Sequence, residues 1–277
     1  IIQFKLEGEI IRRRPEFGME DRLLLDHLDL QQGTVTINGK AYPLIDTHFP
    51  TIDPNDPYRL TEGEQDLIEK ICHSFESSEK LKKHMRCFFR HGSMYQVCNS
   101  NLLFHASIPM NADGTFKQVR ILDKEYAGKA LLDKVDQLVR EAYFKTGEPE
   151  ELAFACDYIW YLWCGADSPL FDKSKMATFE RLFIADAETH KEEKGAYYTL
   201  RTQEEICDKI LDEFGVEGTH RHIINGHVPV RSVKGENPIK ANGKMLVIDG
   251  GFSRPYHSKT GIAGYTLVYH SRGFQLV

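Results

Sequence analysis

Apolar residues recur along this chain with two periods, and the helical period is the clearer. Leu67, Ile68, Ile71 and Phe75 follow Thr61 and Glu64, a capping-box spacing that predicts a helix with those four residues on its buried face. The pattern breaks at Ser77-Ser78, resumes through Leu81, Met85, Phe88 and Phe89, and stops at Gly92. Residues 128–145 carry Leu131, Leu132, Val135, Leu138, Val139 and Tyr143 at helical spacing. Pro149 opens a further helix with an aromatic stripe of Phe154, Tyr158, Tyr161, Trp160 and Trp163, a pattern that reads as core. A short helix is expected over 176–185. Thr202 with Glu205 repeats the capping-box spacing at the start of a helix that ends at Gly215.

The two-residue period marks the strands. Residues 34–42 alternate about Asn38-Gly39, the strongest short hairpin signal. Residues 94–98 and 102–106 form a second hairpin turning at Asn99-Ser100. Later strands are expected at 223–225, 245–249, 265–269 and 274–277, while the three prolines of 49–60 make that stretch a structured loop. Helices and strands alternate early and strands cluster at the end, which indicates an α/β fold with α+β character.

Composition narrows the partners. A formal net charge of −6 argues against nucleic acid or an anionic membrane as the main partner, and no apolar run approaches the roughly 20 residues of a membrane span. Arg12-Arg13-Arg14-Pro15 reads as a solvated helix end. The six cysteines show no CxxC spacing, so free thiols in a reducing cytoplasm are expected. The chain opens Ile1-Ile2-Gln3-Phe4 inside a regular element and without an initiator methionine, which suggests a portion of a longer protein.

Two segments share one shape. His222-Ile223-Ile224-Asn225-Gly226-His227-Val228-Pro229 is a β-branched run that delivers an imidazole at its end before a proline, and Asn101-Leu102-Leu103-Phe104-His105-Ala106-Ser107-Ile108-Pro109 does the same. A lone histidine on an apolar strand is commonly a core or edge residue. Two at matching strand ends suggest half of a metal site, and Gly226 leaves room for close backbone approach. Asp249, before Gly250-Gly251, is either a carboxylate orienting a metal-bound imidazole or an Asx turn. Lys240, Lys244, Arg254 and Lys259 surround it in sequence and are candidates for an anion site. Asp46-Thr47-His48 reads as a structural turn and His220 as a loop residue. His222 stands five residues from His227, so on a continuous strand the two face opposite sides. Neither a GxSxG elbow nor a Walker or dinucleotide glycine loop is present.

At Asn225-Gly226-His227-Val228-Pro229-Val230 the chain resembles the Gly-His-Thr-Pro block of calcineurin-like metallophosphatases, with Val in place of Thr. Within that superfamily it is similar to the class III fructose-1,6-bisphosphatases of bacteria, through residues 2–8, 49–54, 161–163, 236–244, 247–253 and 260–265. The resemblance spans the whole chain but only the carboxyl-terminal part of the family. The upstream Asp-x-His, Gly-Asp-x-x-Asp-Arg-Gly and Gly-Asn-His blocks are not found, so this portion alone is expected to be inactive. The fold it implies is the carboxyl half of a metallophosphatase β-sandwich flanked by helices, with 1–277 one portion of a catalytic domain and an inserted helical region at roughly 115–215. The chemistry it implies is hydrolysis of the 1-phosphate of fructose 1,6-bisphosphate at a two-metal Mn²⁺ centre. His105 and His227 would ligate one ion, with Asp249 behind them and Lys240 and Arg254 toward the substrate's second phosphate. Another metallophosphoesterase, acting on phosphoproteins or dinucleoside polyphosphates, and a non-catalytic interaction domain are the alternative readings. Self-association as a homo-oligomer is expected.

Overall fold

The computed structural model describes residues 1–261 and 264–277. Ile262 and Ala263, within one segment that carries the resemblance, lie outside the described residues. The chain divides into two compact units, residues 1–92 with 175–193 and residues 93–174 with 194–277.

In the first unit α1 (Ile2–Arg13) stops at the residue before Arg14-Pro15, where proline disfavours helical backbone. Strands β1 (Leu28–Asp29), β2 (Thr34–Ile37) and β3 (Lys40–Pro43) form an antiparallel sheet. Its hairpin turns on Asn38 and Gly39, at φ 49° and 77°, the left-handed pair such a turn requires. The expected capping box forms at Thr61 and Glu64, starting α2 (Glu62–Ser77). Ser78 then caps α3 (Glu79–His91). Lys5 and Glu64 form a buried ion pair at 2.7 Å. The apolar face assigned to α2 is a correction. Leu67, Ile71 and Phe75 are exposed and the buried residue of the helix is Glu64. Periodicity establishes a stripe, but a stripe is buried only where another element covers it. The core of this unit holds Leu24, Leu25, Val35, Phe49, Tyr58 and Phe179, the last from the short helix α6 (Thr178–Phe183).

The second unit is built on a five-stranded sheet in the order β4-β5-β8-β10-β9. β4 (Tyr95–Cys98) and β5 (Asn101–Phe104) are the expected hairpin, turning on Asn99 and Ser100 at positive φ. β8 (His222–Asn225) lies parallel to both β5 and β10 (Met245–Val247), and β9 (Ile239–Lys240) runs antiparallel at the edge. Parallel neighbours need crossover connections. The connection from β5 to β8 contains the hairpin β6 (Val119–Ile121) and β7 (Lys124–Tyr126), then α4 (Gly128–Phe144), α5 (Pro149–Cys164), α7 (Tyr197–Leu200) and α8 (Glu204–Glu213). Leu132 of α4 and Ile206, Cys207, Ile210 and Leu211 of α8 pack into one core with the strand residues Leu102, Ile223, Met245 and Val247. Of the aromatic stripe on α5, Phe154, Tyr158 and Tyr161 are buried and Trp163 is exposed. The second capping box does not form. Gln203 is the N-cap of α8, and Thr202 donates back to Thr199 O at 3.0 Å because the turn after α7 precedes it. After β10 come α9 (Arg254–Thr260) and the hairpin β11 (Leu267–His270) with β12 (Gly273–Leu276). The described residues thus make a mixed α/β structure, and no helix among them is long and apolar enough to cross a membrane. Among the described residues no cysteine is joined in a disulfide.

Candidate functional site

The register of the sheet places the two histidines. Phe104 of β5 is paired with Asn225 of β8, so His105 and His227 leave the carboxyl ends of adjacent parallel strands. His105 Nε2 and His227 Nδ1 stand 3.1 Å apart, with ring planes inclined at 72°. His227 is held at φ 63°, an uncommon backbone setting for a residue with a side chain and one that clusters at functional sites.

Asn225 locks this end of the sheet. Its buried amide nitrogen donates to the carbonyls of Phe104 at 3.3 Å, His105 at 3.2 Å and Ala106 at 3.0 Å. Its oxygen accepts from Arg201 Nη1 at 2.8 Å and Tyr197 Oη at 3.2 Å. The amide of Gly226 also donates to His105 O at 3.0 Å. A Cβ at Gly226 would come to 3.4 Å from that carbonyl, a tight approach that glycine avoids. The backbone carrying His105 is therefore fixed from two sides.

The electrostatics favour neutral imidazoles. His227 is pushed down to about 4, first by burial and then by the charges of His105, Lys173 and Lys194, against an opposing pull from Asp249. His105 is exposed as a residue, yet desolvation by the surrounding protein lowers its pKa, again against Asp249. Neutral imidazoles have a lone pair for an ion. Two nitrogens at right angles around one ion, with bonds of about 2.1 Å, are about 3 Å apart, so the observed 3.1 Å fits a shared cation. Among the described residues no group of three His, Cys, Asp or Glu side chains is arranged to hold a metal. The pair on its own is an incomplete ligand set.

Asp249 forms the turn that its sequence allows. One carboxylate oxygen accepts from Gly251 N at 2.8 Å, which is an Asx turn, and its charge acts on both imidazoles. Among the described residues no hydrogen bond, ion pair or ring contact joins Lys240 or Arg254 to the pair. Lys240 lies on the edge strand opposite Met245, at the amino-terminal end of β10, and its ammonium donates to Glu236 Oε1 at 2.8 Å. Arg254 is exposed at the start of α9. The cations acting on His227 are instead Lys173 and Lys194, which form an isolated antiparallel bridge. Neither lysine stands near His105 or His227 in sequence. Only the fold could single them out. Asp46 accepts from His48 N at 2.8 Å, the expected structural turn, and His222 Nδ1 lies 2.9 Å from Gly243 O, away from the pair.

Comparison with known proteins gives a consistent result. The family model described as firmicute fructose-1,6-bisphosphatase matches residues 1–277. A fructose-1,6-bisphosphatase class 3 of Parabacteroides distasonis is 81% identical over 277 residues, which is all of this chain and 42% of that relative. Proteins of the same name from Bacteroides fragilis and Clostridium botulinum are 68% and 56% identical, over 42% and 41% of their lengths. The chain thus spans about two fifths of the length of these curated relatives. No solved structure matches it.

Proposed function

The chain belongs to the firmicute fructose-1,6-bisphosphatase family, and from that premise we propose that it supplies one side of a two-metal phosphatase site acting on fructose 1,6-bisphosphate. The observation that carries this reading is the imidazole pair at the ends of β5 and β8, 3.1 Å apart and both biased to the neutral form.

In this reading His105 Nε2 and His227 Nδ1 hold one divalent ion, Mn²⁺ by the family resemblance. Their protons then reside on His105 Nδ1 and His227 Nε2. When bound, the ions supply Lewis acidity to a phosphoryl oxygen and to the attacking water. Asn225 sets the position of the His105 backbone, and the Asp249 charge strengthens both imidazoles as donors. The remaining ligands and the general acid come from outside this chain. The five-stranded sheet is one layer of the implied sandwich. The exposed Leu67, Ile71 and Phe75 of α2 are a surface for self-association.

The test is phosphate release by the full-length protein containing this chain, with Mn²⁺, from fructose 1,6-bisphosphate, a phosphopeptide and a dinucleoside polyphosphate. Selective turnover of the bisphosphate is expected. Preference for either other substrate would replace the substrate assignment, and no turnover of any would favour a non-catalytic role.

A further inference from the structure

Helices α2 and α3 meet at Ser78, which ends the first and caps the second. Their apolar residues are placed symmetrically about that joint. Phe75 and Leu81 lie three residues from Ser78, Ile71 and Met85 seven, and Ile68 and Phe88 ten. Steps of four and three are the seam spacing of helices packed side by side. None of these six side chains is buried, and Phe75 and Phe88 are 62% and 64% exposed, so the seam is not closed within the chain. The two helices also carry opposite charge. α2 holds five acidic residues and one basic, and α3 five basic and one acidic. Glu64 is taken up by Lys5, which still leaves α2 net negative. Helices of 16 and 13 residues are marginal in water without a packed face, and an exposed apolar stripe rimmed by charge marks an interaction surface.

We infer that this seam is closed by a second copy of the chain, with α2 of each protomer lying antiparallel on α3 of its partner about a two-fold axis at Ser78. The inference rests on the self-association surface proposed above, to which it gives an occupant and a register, and is independent of the phosphatase chemistry. A two-fold interface is self-complementary, since the same patch of both copies meets across the axis. A pattern symmetric about one residue satisfies that condition. Phe75 then faces the partner's Leu81, Ile71 the partner's Met85 and Ile68 the partner's Phe88. An unrelated segment docked on these helices would require no such symmetry. Charge selects the same pairing. Acidic α2 attracts basic α3, whereas α2 against α2, or α3 against α3, sets like charges side by side.

The test is the dimer dissociation constant of the full-length protein, by analytical sedimentation, for wild type, Ile71→Glu, Met85→Lys and an equal mixture of the two variants. Ile71 is exposed and Met85 half-buried, where a lysine keeps its ammonium in water, so the core of each variant is left intact. Each variant alone buries an unpaired charge in both halves of the seam, and a loss of at least about a hundredfold in affinity is expected. In the mixed dimer one half sets the introduced carboxylate against the introduced ammonium and the other half is wild type. The mixture is therefore expected to return to within about tenfold of wild type. Phe75→Glu with Leu81→Lys repeats the test at the next pair. A wild type that stays monomeric up to about 100 μM would remove both the pairing and the self-association surface. A wild-type dimer that neither variant weakens would leave self-association to another face and overturn this pairing. Weakened variants whose mixture recovers nothing would overturn it as well.

Discussion

At the scale of single residues, Asn225 carries the most consequence. Replacing it by alanine leaves the Arg201 guanidinium, the Tyr197 hydroxyl and two or three carbonyls of 104–106 without their side-chain partner in a buried setting. The expected loss is about 3 kcal/mol of stability, read as a lower denaturation midpoint. A loss under about 0.5 kcal/mol would show that these groups find other partners. Asp172 offers a test with a sign. Its folded pKa, about 6, lies above the ordinary 3.8, so the folded chain binds more protons between those values. Its contribution is whole below pH 3.8 and is lost as pH rises to 6. Asp172→Asn should therefore raise the melting temperature at pH 7.5 relative to its effect at pH 4. A gain of the same size at both pH values would contradict the shift. The histidines were legible in sequence because each ends an apolar run before a proline. The locking role of Asn225 was not, since it depends on parallel pairing across 121 positions between Phe104 and Asn225. Lys173 and Lys194 each look like ordinary solvated charges until the fold brings their charge to bear on His227.

At the scale of elements, the start of α2 is a joint rather than a simple cap. Glu64 accepts from Thr61 N at 2.8 Å and from Lys5 Nζ at 2.7 Å. Burial raises its carboxyl, but the hydrogen bonds from Lys5, Thr51 and Thr61 outweigh it and hold it at about 2. The group's stabilising effect is thus present above about pH 4.5 and is lost as pH falls toward 2. Glu64→Gln leaves Lys5 buried and unpaired, with an expected loss of about 3–5 kcal/mol at pH 7 that shrinks at pH 2. A loss independent of pH would point to shape rather than charge. Gly8 gives the opposite lesson about a helix glycine. Alanine normally stabilises a helix interior, but a Cβ at Gly8 would overlap the Tyr58 ring. Gly8→Ala should therefore destabilise by about 1–3 kcal/mol, and a gain in melting temperature would show that Tyr58 gives way. The Thr61 box was readable because its spacing is local. The exposed stripe of α2 and the missing box at Thr202 were not, because burial and the preceding turn are set by neighbouring elements.

At the scale of the whole molecule, the residues that match the family are spread from end to end, and the chain spans about two fifths of its relatives. Two imidazoles explain both the signal and its incompleteness. They can hold one ion together, but not a complete shell. The central claim is that His105 and His227 share a divalent cation. The direct measurement is Mn²⁺ binding by the full-length protein, by equilibrium dialysis with elemental analysis, for wild type, His105→Gln and His227→Gln. The account predicts two ions per wild-type chain, with one of them bound at least tenfold more weakly in both variants and to the same degree. Equal Mn²⁺ affinity and stoichiometry in all three proteins would contradict it.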